Sequence, residues 1–384
     1  MKFVKLISIV IILILLFGSL GFVFYQYKNN INAVRYYKQG LEFYREQKYQ
    51  DAYYNFKQIK FLSNFYEVSL IKQYQCAIKL QDKKTAQAKL KLLSLILRDE
   101  NIRPWAMYRE AILSQEQNLD DKTLLEKFKK IYKMYPNSNF GYASAYKIAF
   151  LSKDENLKKE YLIQYLKYAP LGKFALNAID ELKKYQDLNP SQTEVIADAL
   201  FAQEQYKNAL DLYKQSEFEA CWFKISKCYR ALREFDLERN TIIRALNLQN
   251  NFVAPKEVDS ALDRLCQLLG GSKLQNLKYY YSKLQNSPYS ATLTYKLAET
   301  TDTNKIKYYE EVLEKYPDSI WASNSLWEIF WYNYKLGNYA TCKSLAQSHS
   351  ARYTESADAP RIAYWWAKIL ASENDSQSKE IYKK

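Results

Sequence analysis

The strongest constraint on this chain is a word that it repeats: an apolar-periodic helix, then Tyr-Pro-x-Ser, then a second apolar-periodic helix. Near the C-terminus the word runs from Tyr309 to Ser319, with Tyr309, Val312, Leu313 and Tyr316 at intervals of three and four, which lines one face of a helix. Pro317 ends that helix, because it lacks an N–H and its ring clashes with the preceding turn. Asp318 or Ser319 is expected to cap the next helix, whose buried face carries Trp321, Leu326, Ile329 and Phe330. Phe128 to Ser138 repeats the spacing position for position, followed by Phe140, Ala145 and Ile148. Weaker copies end at Pro170 and Pro288, and the steps of 34 (Pro136 to Pro170), 33 (Pro255 to Pro288) and 29 residues (Pro288 to Pro317) are those of helix-hairpin repeats rather than βαβ units. The expected fold is all-α, an α-solenoid in which hairpins stack into a superhelix.

Composition agrees. Among 384 residues only eight are Gly and eight Pro, while Leu, Lys, Ala, Glu and Gln are plentiful, which favours helix over strand. The 36 tyrosines suit a solenoid, where large rings fill gaps between stacked hairpins, but a usage rich in Asn, Lys, Ile and Tyr also follows from an AT-rich genome without any functional demand. A net charge of +14 invites a polyanion, but the lysines are scattered along every helix without a dense block or a base-reading motif, so no nucleic acid is expected. Five cysteines is an odd number, and Cys221 and Cys228 lie seven apart, two turns along one helix and about 10 Å from each other. They cannot bridge, and the thiols read as small buried apolar groups.

Taken in order, residues 1–27 form a membrane anchor or signal segment. Lys2 and Lys5 precede an uncharged run, 6–25, long enough to span a bilayer. Cleavage after Ser19-Leu20-Gly21 is the alternative, and the apolar residues Phe22, Val23 and Phe24 favour the uncleaved anchor. The body is then expected outside the cytoplasmic membrane. Residues 33–250 read as helical repeats. Gly40, Ala52 and Phe56 around a turn at 46–48, and Ala197 and Ala209 around a turn at 204–207, resemble the tetratricopeptide pattern, in which small residues let paired helices approach closely. Less regular hairpins follow at about 66–98, 104–134, 140–168 and 172–186, with helices at about 220–232 and 235–248. After the polar stretch 250–255, residues 256–384 form a second set of repeats. Gly270-Gly271-Ser272 reads as a helix stop and not as a phosphate cradle, since no strand precedes it.

The chemistry of common active sites is missing. His349 is the only histidine, which rules out a multi-histidine metal site, and its setting in Gln-Ser-His-Ser suggests a capping or surface role. No Cys-x-x-Cys, P-loop or Asp-rich calcium loop occurs, so no cofactor or metal is expected. Acidic pairs such as Glu310-Glu311 read as a solvated helix face.

The segment Glu314 to Tyr339, with Ala351-Arg352-Tyr353 and Ala359 to Lys368 after it, resembles the superhelical domain of soluble lytic murein transglycosylases. The likeness covers about 300–384, with Lys368 where that family usually has Arg. The resemblance implies a tetratricopeptide-like scaffold of a cell-wall system, binding peptidoglycan or envelope proteins. The family's catalytic Glu-Ser motif is missing, and Glu355-Ser356 is only an echo of it, so the chain as it stands is expected not to be an enzyme. The residues expected at an interaction surface are Trp327, Trp331, Tyr364, Trp365, Trp366 and Ile369. The last segment, Ser376 to Lys384, reads as the start of a return helix that leaves Trp365 and Ile369 partly uncovered, an edge where a separate catalytic subunit would dock. The alternative is an envelope scaffold for protein partners, unrelated to peptidoglycan.

Overall fold

The computed structural model describes residues 2–97, 102–216, 221–248, 254–373 and 375–381, with side chains from residue 24 onward. Every regular element among them is helical. The chain divides into two compact units, 1–186 and 187–384.

In the first unit α1 (Lys2–Arg45) turns back into α2 (Tyr49–Lys57), α3 (Tyr66–Lys79) into α4 (Lys83–Ile96), α5 (Ile102–Glu116) into α6 (Asp121–Met134) and α7 (Asn139–Leu151) into α8 (Glu155–Tyr168). The short α9 (Ala175–Leu182) follows, alone, where the sequence suggested a hairpin over 172–186. The second unit pairs α10 (Pro190–Ala202) with α11 (Tyr206–Gln215), α12 (Cys221–Ala231) with α13 (Phe235–Asn247), α14 (Pro255–Leu269) with α15 (Lys273–Lys283) and α16 (Ser290–Thr300) with α17 (Lys305–Lys315). It closes with α18 (Ile320–Lys335) and α19 (Tyr339–Arg352), then α20 (Ala359–Ser372) and α21 (Ser378–Ile381). Within each unit every helix packs on the next one in sequence, which is how a solenoid of hairpins is built.

Two turns alternate along the chain. Six hairpins close with a residue in the left-handed region, at Gln47, Gln81, Asn118, Glu204, Arg233 and Gly337. In each, the next N–H reaches the carbonyl five residues back, as from Lys48 to Phe43 at 2.9 Å and from Gln205 to Leu200 at 2.9 Å, which satisfies a carbonyl that the helix end leaves unpaired. The link between hairpins is the Tyr-Pro-x-Ser word. The N–H of Ser138 reaches the Tyr135 carbonyl at 3.2 Å and that of Ser319 reaches Tyr316 at 3.0 Å. The same bond recurs from Gly172, with Pro170 inside the turn, and without an internal proline from Ser63, Ser287 and Ser356. Glu355-Ser356 therefore belongs to a copy of this turn.

Capping differs between the two best copies. Ser138 Oγ accepts the Gly141 N–H at 3.0 Å, but Ser319 Oγ makes no such bond and is buried without a partner. Asp318 is also not a cap, since its carboxylate turns outward to Arg352 at 2.7 Å. The capping role expected of Asp318 or Ser319 thus fails at both, while Ser138, for which none was expected, fills it in the other copy.

Rings join several hairpins to their neighbours. Tyr74 meets Trp105, Tyr108 meets Phe140, Tyr146 stacks on Phe174 and Tyr295 stacks on Trp321. Such pairs contribute roughly 0.5–1.5 kcal/mol each beyond their burial. In the second unit one apolar cluster takes Phe223 and Ile242 from before the stretch 250–255 and Val258, Leu262 and Leu293 from after it.

The backbone of α1 runs unbroken from Lys2 to Arg45. The apolar run 6–25 falls almost wholly on residues whose side chains lie outside the described set. Among the described residues no helix is long and apolar enough to cross a membrane.

Candidate interaction surface

The six residues expected at a surface occupy different depths. Trp327 and Ile369 are core, at 9% and 2% exposure, because α18 and α20 turn them onto Phe330, Cys342 and Ala346. Trp331, Trp365 and Trp366 are half-buried against that cluster. Tyr364 stands open at 50% exposure. The expectation of an open Ile369 is corrected by α19, whose Cys342 and Ala346 already share its cluster.

A surface does form at these helices, and it includes residues the sequence reading passed over. Five rings touch in series: Tyr339 on Tyr334 at 5.6 Å, Tyr334 on Trp331 at 5.3 Å, Trp331 on Trp365 at 5.0 Å and Trp365 on Tyr364 at 5.5 Å between centroids. The end rings are exposed, Tyr339 at 41% and Tyr364 at 50%, and Tyr332 on α18 and Leu336 just after it lie exposed beside them. Lysines border the series: Lys368 Nζ stands 4.5 Å over the Trp365 ring and Lys335 Nζ 5.5 Å over Trp331. A cation over a ring face adds roughly 0.5–1 kcal/mol at an exposed site. The signal for this surface was present in Tyr332, off the core stripe of α18, and in Leu336 and Tyr339 at the turn into α19.

Beside the rings, α19, α20 and α21 enclose a cleft of about 800 Å³ lined by Glu355, Ala363, Tyr364, Trp366, Ile381 and His349 among others. His349 is neither a cap nor a surface residue, being 1% exposed. Its Nε2 lies 3.0 Å from Ser323 Oγ and 3.2 Å from Ser356 Oγ. Ser323 spends its proton on Asp358 Oδ2 at 3.1 Å, so its oxygen accepts from the imidazole. A Ser, a His and an Asp thus meet, but the order is wrong for nucleophilic catalysis. The carboxylate bonds the hydroxyl and not the far imidazole nitrogen, and Ser323 is 5% exposed. The cluster ties the turn before α20 to α18 and α19. Burial lowers the His349 pKa, against the opposing pull of Asp358.

No group of histidine, cysteine, aspartate or glutamate side chains could hold a metal ion among the described residues. All five cysteines are buried and free. Glu311 is not simply solvated as expected: it accepts from the Tyr281 hydroxyl at 2.7 Å and so links α17 to α15.

No protein-family model matches the chain, and no curated protein matches it. Among solved structures, the chain is similar to yeast Tom70, with 12% identity and a TM-score of 0.35 over 92% of this chain and 99% of that one. It is also similar to the human IFIT1 dimer with m7Gppp-AAAA, with 13% identity and a TM-score of 0.33 over 91% of this chain and 88% of that one. At that distance neither likeness identifies a function.

Proposed function

We propose that this protein is a non-catalytic interaction scaffold of helical hairpins that works outside the cytoplasmic membrane. In this reading residues 6–25 tether it, and the ring series of the C-terminal hairpins docks an envelope component, peptidoglycan first among them. The observation that carries the docking role is the run Tyr339, Tyr334, Trp331, Trp365, Tyr364, with its end rings exposed and bordered by Lys335 and Lys368. Flat rings stack on sugar faces, and lysines attract the carboxylates of peptide stems. The tether rests on the uncharged run behind Lys2 and Lys5.

The same rings also suit a protein partner, because Tyr and Trp are the side chains that dominate protein interfaces. The test is retention of the full chain, in detergent micelles, on purified peptidoglycan. Wild type is expected to be retained through moderate salt, and a Tyr364→Ser, Lys368→Gln variant to wash off. Complete failure of wild type to bind would remove peptidoglycan and leave the envelope-protein reading, which crosslinking from Tyr364 in intact cells would then address.

A further inference from the structure

At the start of the second unit, α11 and α13 flank α12 and leave a cleft of about 670 Å³. Arg244, from α13, lies with its guanidinium carbon 3.9 Å from the centre of the Trp222 ring. Lys214, from α11, stands 5.4 Å over the Tyr229 ring. Among the described residues no carboxylate lines the cleft. The neighbouring cations are used differently: Arg264 is paired with Glu238, and Lys224 with Glu194 and Asp198. Arg244 and Lys214 have no ion pair among the described residues.

A guanidinium held by its face on an indole keeps its N–H edge free and gives up rotamer freedom in advance, so binding a carboxylate there costs less ordering than binding at a mobile side chain. Leu237 and Leu248 line the same cleft and are 46% and 37% exposed, which leaves apolar wall beside the charge. A bare anion would use only half of this site. We propose that the cleft binds an acidic, apolar peptide segment of a partner protein: Arg244 and Lys214 take its carboxylate, and Leu237 and Leu248 take the apolar side chain next to it. This site lies on other helices than the C-terminal rings and does not depend on their role.

The experiment is calorimetric titration of the full chain, in detergent micelles, with acetyl-Glu-Leu-Glu-Leu amide and with its counterpart carrying Gln for Glu. The acidic peptide is expected to bind, and the neutral one to bind at least ~10-fold more weakly, the loss expected when a charge-assisted pair is removed. Arg244→Gln is expected to weaken the acidic peptide by a similar factor, and Arg244→Lys to restore only part, because the forked geometry is lost. Lys214→Gln, on the exposed flank, serves as the second variant should Arg244→Gln fail to fold, with several-fold weakening expected. Equal binding of the two peptides, no binding of either, or unchanged binding by a folded variant would overturn the proposal.

Discussion

Arg264 holds both carboxylate oxygens of Glu238, from Nε and from Nη2, each at 2.8 Å, and the Glu238 side chain is 2% exposed. Arg230 adds a third contact at 3.2 Å. The pair fastens α13 to α14 across the join between two hairpins. A buried carboxylate left alone is far more costly than the pair is favourable, because its desolvation is no longer offset. Arg264→Leu leaves Glu238 only the Arg230 contact and is therefore expected to destabilise the second unit by about 3 kcal/mol, the low end for breaking a buried pair, and Arg264→Leu with Glu238→Leu to recover most of that. Urea unfolding of both variants checks it, and a single variant as stable as wild type would contradict it.

Gly141 and Gly40 are among the glycines required by close approach rather than by backbone angle. A Cβ on Gly141 would lie 2.0 Å from the Tyr135 carbonyl oxygen, which is backbone and cannot step aside. On Gly40 it would lie 2.7 Å from the Phe56 ring, which can shift a little. Gly141→Ala should thus cost more than Gly40→Ala, whose clash of about 1–3 kcal/mol is partly offset by the ~1 kcal/mol helix-propensity gain of Ala over Gly. Thermal melts of the two variants should fall in that order.

The left-handed turn residues give a prediction of opposite sign. Glu204 and Arg233 sit at φ of 60° and 62°, where a Cβ is strained and glycine is not. Glu204→Gly should raise stability by about 0.5–1 kcal/mol, and Gly337→Ala at the matching position should lower it by a similar amount. Opposite shifts in the denaturation midpoint are the expected readout.

These turns show what could be read before the structure. The turns at 46–48 and 204–207, the stop at Gly270-Gly271 and the hairpins before 168 follow from breaks in apolar period, and they stand where expected because burial of an amphipathic face decides a helix more firmly than its caps do. The Gly40, Ala52, Phe56 set was legible because Gly40 faces Phe56 across the first hairpin. The candidate surface was only half legible. Trp327 and Tyr364 both look like exposed aromatics in sequence, yet α20 buries one and releases the other, and which face of α20 meets α18 is a tertiary fact. The burial of His349, and the stacking of Arg244 on Trp222, depend on side chains more than twenty residues apart and leave no local signal.

The thiols should be silent in the native chain. Burial pushes the Cys228 thiol up to about 12 and the Cys76 and Cys342 thiols up to about 11, and all three are fully buried. The thiolate is the reacting species, so both its scarcity and its inaccessibility oppose attack. Ellman's reagent at pH 8 is expected to titrate none of these three thiols until denaturant opens the hairpins. A fast native phase would place at least one of them at a surface.

His349 sets the pH response near neutrality. Burial against α18 holds its pKa below the ordinary value of 6.5 despite Asp358, while Arg361 adds to the lowering. In the unfolded chain the imidazole takes a proton as pH falls through about 6.5, but the folded chain does not take it until lower pH. The unfolded state therefore binds more protons in that window, and stability is full above pH 6.5 and declines below it, by at most ~1.4 kcal/mol per pH unit. Other groups titrate differently. Glu181, held low by its bonds to Lys158 and Lys184, loses its contribution only in the more acidic carboxylate range. Glu299, raised by burial, works in the opposite sense, since its folded form gains a proton first. The comparison that isolates the imidazole is wild type against His349→Asn, because the chain has one histidine. The melting temperature of wild type should fall more steeply than that of the variant between pH 7 and pH 5, and parallel curves would show that the buried imidazole does not govern this range.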